Sequence, residues 1–177
     1  VVSEEGSIAG TYICQGGVVG RINNGSRTYS GLTNAGSLTV AASGAATGAY
    51  VGGMVGRCNE GAAISECNNT GGSIEYTGTA MSCPLYIGGL AGVMKNSINS
   101  STNATSITFA GSSQGNVCIG GVAGYSDGSI QAENDGTVTL STDTSVENGD
   151  LLVGGIVGRV NNADELVSCT NRAPITN

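Results

Sequence analysis

Histidine and tryptophan are absent from this 177-residue chain, phenylalanine occurs once and proline twice. Without imidazole, His-based acid–base catalysis and His-ligated metal sites are excluded. Charge is also scarce, at 11% of residues where about 25% is usual. Six Lys and Arg stand against thirteen Asp and Glu, giving a net charge of −7. So few cations on an acidic chain exclude binding to nucleic acid by phosphate neutralisation. Long apolar runs are missing too. The most apolar stretches, 85–94 and 151–160, are broken by glycines, whereas a membrane span needs roughly 20 apolar residues. No membrane insertion by this segment is expected. Disorder is not expected either, because 39% of the residues are hydrophobic and disorder couples low hydrophobicity to high net charge.

Glycine is abundant, with 31 residues, and 15 of them fall in five copies of one string. The string is Gly-Gly-apolar-small-Gly. Its glycines are Gly16, Gly17 and Gly20; Gly52, Gly53 and Gly56; Gly88, Gly89 and Gly92; Gly120, Gly121 and Gly124; and Gly154, Gly155 and Gly158, with offsets of 36, 36, 32 and 34 residues. Near-constant spacing marks a repeat architecture. Downstream of each triad come an apolar residue (Tyr29, Ile64, Ile98, Ile130, Leu166), an asparagine (Asn34, Asn69, Asn103, Asn134, Asn171) and a β-branched or Leu position (Leu38, Ile74, Ile107, Val138, Ile175). The second copy carries one extra residue, Gly72.

Runs such as Ser37-Leu38-Thr39-Val40 alternate with period two, which is the signal of half-buried strands. No segment shows helical amphipathicity. Three short strands in each repeat of 32–36 residues predict an all-β fold, a parallel β-solenoid of about five coils. The expected units are 12–49, 50–85, 86–117, 118–151 and 152–177. Residues 1–11 would end a preceding coil, with Gly6-Ser7-Ile8 aligned on Gly36-Ser37-Leu38. The whole is read as one repeat domain, a segment of a longer surface protein with end-to-end contact to flanking repeats.

Stacking turns each repeat position into a column. Val18, Met54, Leu90, Val122 and Ile156 read as core. The strand carrying the triad is either buried on both faces or bent at its glycines. The asparagines read as a structural ladder, since Asn tolerates turn conformations and its amide can bond to the next rung. The six cysteines, Cys14, Cys58, Cys67, Cys83, Cys118 and Cys169, lack metal-site spacing and read as buried free thiols, with Cys83–Cys118 the one adjacent pairing.

The repeat resembles the GLUG motif. Val51 to Ile74 matches best, through Gly52-Gly53-Met54-Val55-Gly56 and Ile64-Ser65-Glu66-Cys67-Asn68-Asn69-Thr70-Gly71. The third unit departs from the motif, with Ser101 and Thr105 at its Cys and Gly positions. The resemblance implies a bacterial secreted or cell-surface, adhesin-like, non-catalytic module, and an extracellular protein or glycan as partner.

Catalytic motifs are weak. Gly111-Ser112-Ser113-Gln114-Gly115 fits G-x-S-x-G but lacks a strand–turn–helix context and a histidine. The acids form no column suited to paired-carboxylate chemistry. No cofactor is expected; Asp143, Glu147 and Asp150 are the one oxygen-rich loop for calcium, without the spacing of known calcium loops. Four linkers of equal phase, 41–49, 77–85, 110–117 and 141–151, are the expected contact edge. Two further columns are exposed candidates. One is Thr39, Glu75, Thr108, Thr139 and Thr176, of the kind seen on ice-binding solenoids. The other is Arg21, Arg57, Val93, Tyr125 and Arg159. The expected function is a structural or adhesive repeat module, not an enzyme; the alternative is a carbohydrate-binding or polysaccharide-processing β-helix.

Overall fold

The computed structural model describes residues 2–7, 12–23, 25–44, 46–161 and 165–177. The chain is all-β, a parallel β-solenoid of about five coils. Every strand pairing is parallel and joins equivalent positions of neighbouring coils.

One coil shows how the sequence makes the fold. Gly48–Gly52 enters, the chain bends at Gly53-Met54, and Val55–Cys58 leaves. Ala63–Ser65 and Asn68–Asn69 follow, then Ser73–Tyr76. Stacked copies build a five-stranded entry sheet, a five-stranded exit sheet, a seven-stranded asparagine sheet and a six-stranded sheet of the alternating runs. The triad segment, expected as one strand, is thus two strands of different sheets. The cause is the bend, which gives the segment two sets of stacking partners.

The bend also decides between burial and kinking, because both occur. Ala49 and Val51 of the entry strand pack with Leu38, Val40, Ile74, Tyr76 and Phe109 in one core. Met54, Val55 and Cys58 pack with Ile64, Cys67, Leu90 and Ile98 in a second. The expected core column holds at Met54, Leu90 and Val122, but Val18 is exposed, since in its coil only the following coil lies against it.

Between the two cores runs the asparagine ladder. Asn34 Nδ2 donates to Asn69 Oδ1 (2.9 Å), Asn69 to Asn103 (3.1 Å), Asn103 to Asn134 (2.8 Å) and Asn134 to Asn171 (2.8 Å). Asn103 and Asn134 also close a turn on themselves: Nδ2 donates to the carbonyl two residues on, and Oδ1 accepts that residue's N–H. Asn69, in the coil containing Gly72 (φ +73°), donates instead to the Gly89 carbonyl at 2.7 Å. The three central rungs are buried, Asn34 is half-buried and Asn171 exposed. Buried amides require such partners.

Each glycine of a triad has its own reason. A Cβ on Gly52 would overlap the Val55 carbonyl across the bend. One on Gly53 would overlap Asn69 Nδ2 and the Gly89 carbonyl. One on Gly56 would lie 2.6 Å from backbone atoms of Gln15 and Gly20 in the preceding coil. The glycines let the asparagine ladder and the neighbouring backbones approach.

Two alignments need correction. Val2, not Ile8, stands opposite Leu38; Ile8 lies outside the described residues. Chain length is the reason. Tyr12 pairs with Gly48, so ten residues separate the two pairing points on both strands, whereas Ile8 opposite Leu38 would leave four to cover the same path. The linkers do stack along one edge, but part of them turns inward. Met81, Cys83 and Ala46 join the first core, and Ser112–Ser113 pairs with Ser145–Val146 in a narrow extra sheet.

The packing predicts a graded response to glycine substitution. Gly89→Ala places a methyl group against Asn103 and the Gly121 carbonyl and should abolish cooperative unfolding. Gly25→Ala meets nothing within 4 Å and should shift stability by less than about 0.5 kcal/mol. Asn103→Ala strands buried partners in two neighbouring coils and should cost about 3 kcal/mol or more, against less than about 1 kcal/mol for exposed Asn171→Ala. Urea unfolding followed by circular dichroism measures all four.

A candidate binding face of tyrosine and arginine

The bend that splits the triad segment sets two outward columns against each other. The entry strands contribute Cys14, Tyr50, Tyr86, Cys118 and Leu152 in register. The exit strands contribute Arg21, Arg57, Val93, Tyr125 and Arg159. Between them lies an open groove of about 260 Å³.

The aromatic rings touch along the axis. Tyr12 and Tyr50 are 5.6 Å apart by centroid, Tyr50 and Tyr86 stack at 5.8 Å, and Tyr86 meets Tyr125 edge-on at 5.4 Å. Cations lie over these rings: Arg57 is 5.0 Å from the Tyr12 centroid and 4.8 Å from that of Tyr50, Arg21 is 5.9 Å from Tyr12, and Lys95 is 5.6 Å from Tyr125. Such contacts add about 0.5–1 kcal/mol each at exposed sites. Arg57 also donates to the Tyr50 hydroxyl (3.1 Å) and to Asn59 Oδ1 (2.9 Å). Gly48 makes room for that hydroxyl, since a Cβ there would lie 2.5 Å from it. Burial pushes the Tyr50 hydroxyl up to about 12, with Arg57 opposing the rise. It is therefore a protonated donor at neutral pH.

One carboxylate stands behind the groove lining, bonded to two of the lining side chains. Asp127 binds Lys95 and accepts the Tyr125 hydroxyl at 2.7 Å. Burial pushes its carboxyl upward, but the bonds from Lys95, Tyr125 and Asn161 outweigh burial and hold it below the ordinary 3.8. Asp127 and Lys95 cancel. Arg21, Arg57 and Arg159 have no carboxylate partner among the described residues, where the other ion pairs join Arg172 to Glu133 and Asp135.

The remaining candidates take structural places. Ser113 of the G-x-S-x-G string is fully buried in a strand, and its Oγ donates to the Met81 carbonyl and accepts the Gly115 N–H, both at 3.1 Å. Among the described residues no three Cys, Asp or Glu side chains gather at metal-binding distance, so Asp143, Glu147 and Asp150 are not brought together; Asp164 lies outside the described residues. All six cysteines are free, including Cys83 and Cys118. Burial pushes the Cys58 and Cys118 thiols up to about 11, the protonated and unreactive condition. The threonine column is in register on the outer surface, interrupted by Glu75.

The arginine column is legible in the repeat spacing, but the tyrosines are not legible there as one group. They sit at different phases of the repeat, Tyr12 two residues ahead of Tyr50's column and Tyr125 on the exit strand. The signal available was the shared segment: Tyr12, Tyr50, Tyr86 and Tyr125 all fall within five residues of a triad glycine.

Fold and face together define a repeat protein of the parallel β-solenoid class with an aromatic, cationic groove. No family model, curated protein or solved structure matches the chain.

Asp127 supplies a pH test. Its folded-state pKa lies below the unfolded value, so its stabilisation is complete above about pH 4 and is lost as pH falls through the folded value. Asp127→Asn should therefore lower stability at pH 7 by roughly 1–3 kcal/mol, and the difference from the parent should shrink below pH 4. Thermal melts at pH 7 and pH 3 give both numbers.

Proposed function

We propose that this chain is a non-catalytic structural and adhesive repeat module of a bacterial secreted or cell-surface protein, and that it contacts an extracellular protein or glycan. The GLUG resemblance supports the location and the class. One observation carries the binding role: guanidiniums without a carboxylate partner among the described residues share a single open groove with touching tyrosines. Tyrosine and arginine are among the residues enriched at binding hot spots: tyrosine offers large amphipathic contact at low entropic cost, and arginine a planar fork of donors for carboxylate or sulfate groups. The scaffold suits the task. Its binding residues stand on paired strands rather than on loops, so the face is preformed and loses little freedom on contact. The linker edge is a weaker candidate, since Met81, Cys83 and Ser113 serve the interior.

The module reading is tested by incubating the folded chain with arrays of bacterial and host glycans and of matrix proteins, then recovering the retained ligand for mass analysis. Retention of a glycan or matrix protein in chemically unchanged form is expected. Retention of nothing would contradict the adhesive role, and turnover of a glycan would contradict the non-catalytic one.

A further inference from the structure

The arginine column carries more than a generic contact. Of the six cations in the sequence, Lys95 and Arg172 are ion-paired. Three of the remaining four, Arg21, Arg57 and Arg159, occupy one axial column: Arg57 and Arg159 line the groove, and Arg21 continues the column one coil beyond it. Arg21 and Arg57 are register partners on adjacent parallel strands, and both lie over the ring of Tyr12. Like charges directly opposite on paired strands are destabilising. A chain of net charge −7 has ample acid to alternate signs there. Instead, Arg57 is held by a phenol and an amide, both neutral, which fix the guanidinium without consuming its charge. Glu60 borders the adjoining hollow beside Arg57 and Lys95 but forms no ion pair among the described residues.

We infer that this groove binds an acidic polysaccharide, laid along the solenoid axis with its carboxylate or sulfate groups on Arg21, Arg57 and Arg159. This rests on the adhesive reading above and names the ligand class of that same site. Spacing favours a chain over a small anion. Arg57 and Arg159 are three coils apart, about 14 Å at the usual strand separation, so no single small anion reaches both. Lining favours a saccharide over a peptide. The walls offer phenol hydroxyls, guanidiniums and the Asn161 amide, with Val93 the one aliphatic side chain; a bound peptide draws on apolar pockets or a free strand edge, and the central strands here are paired on both sides. Charge density disfavours nucleic acid, whose phosphates come about every 3.4 Å along a strand, far closer than three arginines over five coils.

The test uses the full chain and isothermal titration at 50 and 200 mM salt, with heparin as the sulfated probe, polygalacturonate as the carboxylated one, dextran as the neutral one and poly-glutamate as the acidic peptide. Binding to heparin or polygalacturonate that weakens with salt is expected, with none to dextran; the stronger of the two identifies the anionic group. Arg159→Gln alters an exposed residue and should weaken binding about tenfold or more, the equivalent of one charge-assisted hydrogen bond. Arg57→Gln should do the same, and Arg172→Gln, outside the groove, should change nothing. Melting curves of each variant check that the fold is kept. The inference is overturned if neither acidic polysaccharide binds, if binding is indifferent to both groove substitutions, or if poly-glutamate binds as tightly with the same arginine dependence. A matrix protein retained on the array while both acidic polysaccharides fail would leave the adhesive reading standing and remove this one.

Discussion

The contact between the asparagine ladder and the second glycine of each triad is the constraint on which the rest of the molecule depends. Asn69, Asn103 and Asn134 are buried between two hydrophobic cores. Their amides touch Gly53, Gly89 and Gly121 so closely that no Cβ fits. A buried primary amide left without partners costs about 1–3 kcal/mol. Here every rung donates to the next, so partial stacking leaves amides unsatisfied and full stacking satisfies them in series. The seam couples register along the axis to the bend within each coil. It thereby keeps the entry and exit strands at the angle that forms the tyrosine–arginine groove.

The chain's periodic parts are legible from residues alone, because stacking repeats the same demand in each coil. Glycine triads, the asparagine column and the alternating run each recur at one phase, and each occupies the structural column expected of it. What escapes is what depends on angle rather than spacing. Nothing in Gly-Gly-Met-Val-Gly distinguishes one strand from two joined by a bend. The apposition of Gly89 and Asn103 joins residues whose side-chain geometry only the folded coil brings together. The groove is hidden for the same reason: Tyr50 and Arg57 are seven residues apart in the chain, on strands of different sheets that face each other only after the bend. The linkers mislead in the opposite direction. Their Gly, Ser and Ala content reads as surface, yet Met81 and Ser113 are fully buried.

Small departures from the repeat are absorbed at corners. Glu66, Ser100 and Ser168 adopt left-handed backbone conformations, with φ of 53°, 45° and 51°, and Gly31 holds the same place at 67°. The coil of Ile130 omits this corner residue, so that Asn134 follows after four residues rather than five, and its strand runs unbroken as Ile130–Asn134. The shift is taken up between Ile98 and Ser101 of the neighbouring strand, and the Asn103–Asn134 rung is kept at 2.8 Å. Corners vary while the ladder does not, which is the ranking expected if the ladder sets the register.

Hydrogen exchange of the asparagine side-chain amides, followed by NMR, addresses the ladder most directly. The Nδ2 protons of Asn69, Asn103 and Asn134 should exchange slowly, at rates close to those of the buried strand N–H groups beside them, while those of exposed Asn171 exchange rapidly. Fast exchange at the three central rungs, with the neighbouring backbone amides still protected, would contradict the claim that the asparagine–glycine seam holds the coils in register.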